Sequence, residues 1–189
     1  QHSNLSPLLK KIYANRGVTR LDQVSYKLAD LTDYSLLKDI DVASDIVAQA
    51  IIKQERILVV GDFDADGATS CAVMLRSLKA FGLDNVDYLV PNRFDYGYGL
   101  SPEIVDVAAD VAAELKPDLI VTVDNGISSI TGVQRANELG IPVVVTDHHL
   151  AGETLPDAAA IVNPNQPECD FPEKTIAGVG VAFYLMLAV

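Results

Sequence analysis

From residue 57 onward, short β-branched runs alternate with stretches whose apolar residues recur at helical spacing. Ile57-Leu58-Val59-Val60 has the continuous apolar character of a strand buried on both faces. Cys71, Leu75, Leu78 and Phe81 follow at three- and four-residue intervals, and Gly82 supplies a helix stop. Val86 to Val90 predicts a second strand. Ser101-Pro102-Glu103 then combines an N-cap, a first-turn proline and a first-turn acid, with Ile104, Val107, Ala108, Val111 and Leu115 as the inner stripe. Leu119 to Val123 predicts a third strand, and a helix from about Ser129 ends at Gly140-Ile141-Pro142. Val143-Val144-Val145 and Ala160-Ile161-Val162 predict a fourth and a fifth strand, and Ala177 to Val189 a closing helix.

Strands alternating with helices of this length build right-handed crossover units. The expected fold class is therefore α/β, a mostly parallel five-stranded sheet with helices on both faces. Residues 1–54 have a different texture: helical segments at Leu5 to Asn15 and Val42 to Lys53 flank a polar stretch from Asp30 to Asp41. They are expected to form a small helical lead-in packed beside the sheet domain of residues 55–189.

The polar residues fall where such a sheet concentrates its chemistry. The first strand runs into Gly61-Asp62-Phe63-Asp64-Ala65-Asp66-Gly67 and the second into Pro91-Asn92-Arg93. The third ends in Asp124-Asn125-Gly126 and the fourth in Thr146-Asp147-His148-His149. In a parallel sheet all these ends share one edge, where open α/β folds bind ligands. Carboxylates crowded there raise one another's pKa or recruit a cation. Aspartate with histidine and no thiolate suits Mn²⁺, Mg²⁺, Co²⁺ or Zn²⁺. Two such ions could clamp a phosphoryl group from both sides.

Plainer roles exist for several of these residues. Asp-x-Asp-x-Asp-Gly also opens an EF-hand loop, but the twelfth position counted from Asp62 is Val73 where a bidentate Glu is needed. A strand-end aspartate such as Asp124 can simply cap a helix, although one cap would not use Asp62, Asp64 and Asp66 together. The loop Arg93-Phe94-Asp95-Tyr96-Gly97-Tyr98-Gly99-Leu100 fits phosphate and base contact as well as it fits a turn that packs its own aromatics. Asn125-Gly126 is a turn signal, and Gly178-x-Gly180 lacks the strand and third glycine of a dinucleotide site.

Length and charge narrow the picture. A chain of 189 residues can bury one sizeable core. No apolar run approaches the roughly 18 residues that span a bilayer, so no membrane partner is expected. Cys71 and Cys169 belong to no CxxC pair and are expected to be reduced thiols of a cytoplasmic protein. The net charge of −12 opposes nucleic-acid binding by the chain as a whole. Two divalent cations would bring the balance only to about −8. A polynucleotide substrate would then need a local basic groove or a basic partner domain.

Val59-Val60-Gly61-Asp62-Phe63-Asp64-Ala65-Asp66-Gly67, Thr122-Val123-Asp124-Asn125-Gly126-Ile127 and Asp147-His148-His149 together resemble the motifs of the DHH phosphoesterase superfamily. Pro91-Asn92-Arg93 through Leu100, with Asn163-Pro164 and Ala177-Gly178-Val179-Gly180-Val181-Ala182-Phe183, resembles its branch of single-strand-specific 5′→3′ DNA exonucleases. The resemblance runs from about residue 50 to the end. It implies a metal-dependent phosphodiesterase that uses two Mn²⁺ or Mg²⁺ ions and releases 5′-mononucleotides in DNA repair and recombination. It also implies Asp62, Asp64, Asp66, Asp124 and His148 as metal ligands, with Asp62 either ligating or orienting a ligand or water. Asp147 would fix a histidine tautomer and His149 would serve the scissile phosphate or the leaving oxygen. Asn92, Arg93, Tyr96, Tyr98 and Gly99 would hold the strand. Single-stranded DNA is the implied substrate, with single-strand-binding protein and repair helicases as implied partners. A further Asp ligand, a second clamping domain and an oligonucleotide-binding module are expected downstream of Val189. Two other readings are a DHH hydrolase of oligoribonucleotides or other small phosphoesters, and a non-catalytic DHH scaffold.

Overall fold

The computed structural model describes residues 5–24, 27–92, 97–110 and 116–189. The chain forms two compact units, Gln1–Asp33 and Tyr34–Val189. In the first, helix α1 (Pro7–Asn15) is started by Ser6, whose Oγ accepts the Leu9 N–H at 3.3 Å, with Pro7 in the first turn. Gln23 Oε1 then accepts the Thr19 and Arg20 N–H groups, both at 3.0 Å, and closes the turn after α1.

The second unit is the α/β domain. Its elements in chain order are α2 (Ile40–Ile52), β1 (Ile57–Gly61), α3 (Ala65–Ala80), β2 (Val86–Leu89), α4 (Pro102–Asp110), β3 (Leu119–Val123), α5 (Ile130–Glu138), β4 (Val143–Thr146), β5 (Ala160–Val162) and α6 (Gly178–Ala188). The five strands form one sheet in the order β2-β1-β3-β4-β5, every pair parallel. The α/β sheet expected from the sequence is therefore what the chain folds into.

Alternation along the strands divides the core in two. Ile57, Val59, Val121, Val123, Val144 and Val162 face α2, α3 and α6. Val60, Ile120, Val143, Val145 and Ile161 face α4 and α5. The period of two explains why runs that look uniformly apolar are needed: both faces are covered.

Packing differs from the sequence reading at particular residues. Helix α2 belongs to the second unit, with Ala43, Val47 and Ala50 fully buried in the core beneath β5 and α6. On α3 the buried stripe runs through Cys71, Met74 and Leu78, whereas Phe81 lies at the C-cap and is 46% exposed. On α4, Val105 is buried beside Ile104 and Ala108 while Val107 is only half-buried. Val111 and Leu115 lie outside the described residues. Cys71 and Cys169 are both free and buried. No described helix is long and apolar enough to cross a membrane.

Candidate metal centre

The strand order places the switch point between β1 and β3, because the chain leaves β1 toward β2 on one side and returns to β3 on the other. Asp62 to Asp66 follow β1, Asp124 follows β3, and Asp147 to His149 follow β4, the next strand over. The three clusters thus meet at the carboxyl edge of adjacent strands.

The turn after β1 is tight and starts a helix within the aspartate triplet. Asp64 is the N-cap of α3, its Oδ1 accepting the Asp66 and Gly67 N–H groups at 2.9 and 3.0 Å. Asp62 Oδ1 accepts the Phe63 N–H at 2.8 Å. A methyl on Gly67 would lie 2.2 Å from the Asp62 carbonyl oxygen, so only glycine fits beneath the turn. The cap expected of one acid is supplied by Asp64, with a single oxygen.

At the end of β3, Asp124 adopts a left-handed backbone (φ 61), a conformation that costs a non-glycine residue about 1 kcal/mol or more and clusters at functional sites. Its N–H donates to the Thr146 carbonyl at 3.0 Å, joining β3 to β4. The buried Asn125 amide donates to the carbonyls of Val60 (3.1 Å) and Val123 (2.9 Å), joining β3 to β1. The ends of all three strands are therefore tied together beside the carboxylates.

After β4, Asp147 is fully buried and organises backbone. Its Oδ2 accepts the Ile127 N–H at 2.9 Å; its Oδ1 accepts the N–H groups of His148 (2.7 Å) and His149 (3.1 Å) and the His149 ring Nδ1–H (2.7 Å). From behind, Asn163 donates to the His149 carbonyl at 3.0 Å and Asn165 to the His148 carbonyl at 2.6 Å. Asn165 also reaches the Lys174 carbonyl, and the Lys174 ammonium donates to the carbonyls of Pro164 and Cys169. The polar loop at 163–167 is a brace for the histidine pair.

Two overlapping donor groups result. Asp62, Asp64 and Asp124 form one; Asp124, His148 and His149 form the other; within each, one donor atom per residue lies within 4.8 Å of the rest. Asp124 is shared. Its Oδ1 is buried, accepts no hydrogen bond, and faces His148 Nε2 at 3.1 Å. Burial, and then the charges of Asp66 and Asp64, push its carboxyl up to about 7. A buried anionic oxygen without a donor, ringed by carboxylates and imidazoles, is what a cation would satisfy. The residues present fit a divalent ion.

Asp147 behaves in the opposite sense. Burial disfavours its charge, but hydrogen bonds from the His149 ring and from the Ile127 and His149 N–H groups outweigh it and hold the carboxyl below the usual range. The same Asp147 bond raises the His149 pKa. Cys71, behind Gly61, is pushed up to about 11 by burial and by Asp124, so its thiol keeps its proton.

Asp66 lies at the margin, 3.7 Å from His148 Nε2, with its oxygens accepting the Gly178 and Val179 N–H groups of α6, both at 2.7 Å. Of the expected strand-holding residues, Tyr98 places its hydroxyl 3.1 and 3.2 Å from the two His149 ring nitrogens, edge-on to the imidazole. Gly99 (φ 76) turns the chain so that the Leu100 N–H meets Ser129 Oγ at 3.0 Å, tying the loop to the start of α5. Asn92 is exposed in the segment that follows β2. Arg93 and Tyr96 lie outside the described residues.

The sequence pattern does not single out Asn125, Asn163, Asn165 or Gly178 as site residues. Asn125 lies two positions beyond β3 and Asn163 directly follows β5, at the edge that carries the aspartates, which is the signal that could find them.

The fold, the switch-point aspartates and the Asp-His-His triplet define a DHH-type domain. Residues 56–188 match the DHH family, N-terminal domain, and the chain belongs to that family. Among curated relatives, the single-stranded-DNA-specific exonuclease RecJ of Salmonella typhimurium is 56% identical over 98% of this chain, which spans 32% of that protein. RecJ of Bacillus subtilis is 41% identical over 96% of the chain, which spans 23% of it. A crystal structure of exonuclease RecJ bound to manganese superimposes with a TM-score of 0.73 at 37% identity, over 84% of this chain and 39% of that one. The chain thus spans a third or less of the length of these two curated relatives.

Proposed function

We propose that this chain carries the metal-binding half of the active site of a 5′→3′ exonuclease that degrades single-stranded DNA to 5′-mononucleotides. The observation that carries the reading is Asp124: buried, lacking a hydrogen-bond donor on Oδ1, and common to both donor groups. Relatives 41–56% identical are single-stranded-DNA-specific exonucleases, and a 37% identical RecJ is known bound to manganese, which supports the substrate and the metal. Oxygen donors with one or two imidazoles suit Mn²⁺ or Mg²⁺. Asp62, Asp64, Asp66, Asp124 and His148 would hold two ions, Asp124 being the residue common to both donor groups. Bound there, the ions would neutralise the phosphodiester and polarise it toward attack by water.

The chain's own residues perform the rest. Asp147 keeps the Nδ1 proton on His149, and the raised pKa favours a second proton on Nε2, available to the departing oxygen. Asn163 and Asn165 hold the backbone beneath both imidazoles. Asn92, Tyr98 and Gly99 would meet the strand, and Arg93 and Tyr96, which fall between them in the sequence, are proposed for the same contact. The acidic balance of the chain assigns most phosphate contacts to a basic surface elsewhere in the protein. The same reading places the protein in cytoplasmic DNA repair and recombination, alongside single-strand-binding protein and repair helicases.

The test compares the full-length gene product and its Asp124→Asn variant on end-labelled single strands, duplexes and dinucleotides with Mn²⁺. Mononucleotide release from the 5′ end of long single strands, lost in the variant, is expected. Preference for dinucleotides, or full activity of the variant, would overturn the reading.

A further inference from the structure

The N-cap of α6, Ala177, brings no side-chain acceptor to its own helix. The first two N–H groups of the helix, those of Gly178 and Val179, instead donate to Asp66 Oδ2 and Oδ1, each at 2.7 Å. The same turn rests on Asp124. A methyl on Gly178 would fall 2.5 Å from Asp124 Oδ1 and 2.8 Å from its Cβ and Cγ. That Oδ1 is the buried oxygen without a hydrogen-bond donor. The start of α6 is therefore seated on two carboxylates from two different strand ends, and the absence of a side chain at 178 sets the distance.

We propose that the Gly178–Val179 N–H pair is a positioning element that holds Asp66 in the orientation in which it serves a divalent cation. This rests on the metal reading above. A carboxylate oxygen accepts along two directions, and each N–H takes one, leaving one on each Asp66 oxygen pointing elsewhere. Two short bonds to adjacent, rigid donors lock the carboxylate plane. The positive end of the helix also offsets the repulsion that Asp66 meets from Asp124. Without the pair, Asp66 would be free to rotate away from the other acids, and the cation would have to order it on binding. Gly178 sets how near the helix comes, so α6 serves the centre through backbone alone.

Proline is tolerated in the first turn of a helix and lacks an N–H. Val179→Pro thus deletes one of the two donors, whereas Val179→Ala keeps it and controls for the side chain. Mn²⁺ titration calorimetry on the full chain reads the difference. Loss of a group that orients a metal ligand typically weakens affinity about 10- to 100-fold, so Val179→Pro is expected in that range and Val179→Ala within about twofold of the parent. Equal affinities of the two variants would overturn the proposal. So would a lowered melting temperature with an unchanged dissociation constant, the result a purely structural helix cap gives. Should Val179→Pro fail to fold by circular dichroism, Gly178→Ala lifts the helix from Asp124 and carries the same expectation; an unchanged Mn²⁺ affinity in it overturns the idea. A parent chain that binds no Mn²⁺ refutes the metal reading instead, which keeps the two failures apart.

Discussion

His149 Nδ1 lies 2.7 Å from Asp147 Oδ1, and that one oxygen also accepts the backbone N–H groups of His148 and His149. Asp147 is thus engaged on every side by the chain itself: its other oxygen holds Ile127, in the turn after β3. The first residue of the Asp-His-His triplet fixes the fold of the two loops and the proton of the second histidine.

Replacing Asp147 with Asn keeps the shape and removes the charge. One buried N–H then faces an amide NH₂, and an unsatisfied buried donor costs about 1–3 kcal/mol. The bond that raises the His149 pKa weakens as well. A group that must be protonated to act loses activity as pH rises through its pKa, so the alkaline limb of the rate profile is expected to move to lower pH. Urea denaturation and a pH series of initial rates check the two effects. An unmoved alkaline limb would show that His149 is not the proton donor.

Asp124 makes the stability of the metal-free chain pH-dependent. Its carboxyl is raised to about 7 in the fold, against 3.8 ordinarily. Between these values the folded state binds the proton more readily than the unfolded chain. This group's contribution therefore falls as pH rises from about 4 to about 7 and is level above. Thermal unfolding with a chelator is expected to give a higher midpoint near pH 5 than near pH 8. Asp124→Asn should flatten the slope below about pH 6.5, leaving above it the part that the raised His149 pKa contributes, and Mn²⁺ should stabilise more at the higher pH. An unchanged slope below that pH in Asp124→Asn would place its origin elsewhere.

The layers were legible because a buried parallel strand announces itself: Ile57 to Val60 and Val143 to Val145 are apolar on both faces and are flanked by turn residues. The edge of the sheet was legible for the same reason, since Asp62, Asp124 and Asp147 each follow a strand directly. What pattern could not supply was the use of each acid. Three aspartates at alternate positions look equivalent, yet Asp64 caps α3, Asp66 caps α6 across the site, and Asp62 binds its neighbour's N–H. The α6 contact links residues 66 and 178, and no local periodicity encodes so distant a pair. Phe81 is expected on the inner stripe but lies at the C-cap, where it is exposed, while Met74, which the pattern does not single out, is buried.

Asn163 and Asn165 brace the histidines through backbone carbonyls, so their loss should act on stability before chemistry. Asn165 donates to both the His148 and Lys174 carbonyls, and Asn163 both donates to His149 and accepts the Asn165 N–H at 2.7 Å. Truncation of either to Ala leaves such groups without their partner, about 1–3 kcal/mol for each that water cannot reach. Asn163, fully buried, is expected to cost more than Asn165. Chemical denaturation of the two variants in chelator ranks them, and the reverse order would place the brace mainly at Asn165.

Tyr98 separates contact with His149 from the proposed contact with the strand. Its hydroxyl lies against the His149 nitrogens and within 3.4 Å of the Asp124 carbonyl, while its ring meets the imidazole edge-on at 5.6 Å and remains 47% exposed. A half-exposed aromatic ring can stack on a base, worth about 1–3 kcal/mol. Tyr98→Phe keeps that surface and deletes the hydroxyl, so kcat should fall while KM holds. Tyr98→Ala deletes both, and KM should rise as well, by roughly 5- to 150-fold from the stacking energy. Steady-state kinetics on single-stranded DNA decide. A Phe variant with parental kcat would remove the hydroxyl from the reaction, and an Ala variant with parental KM would remove the ring from the strand's path.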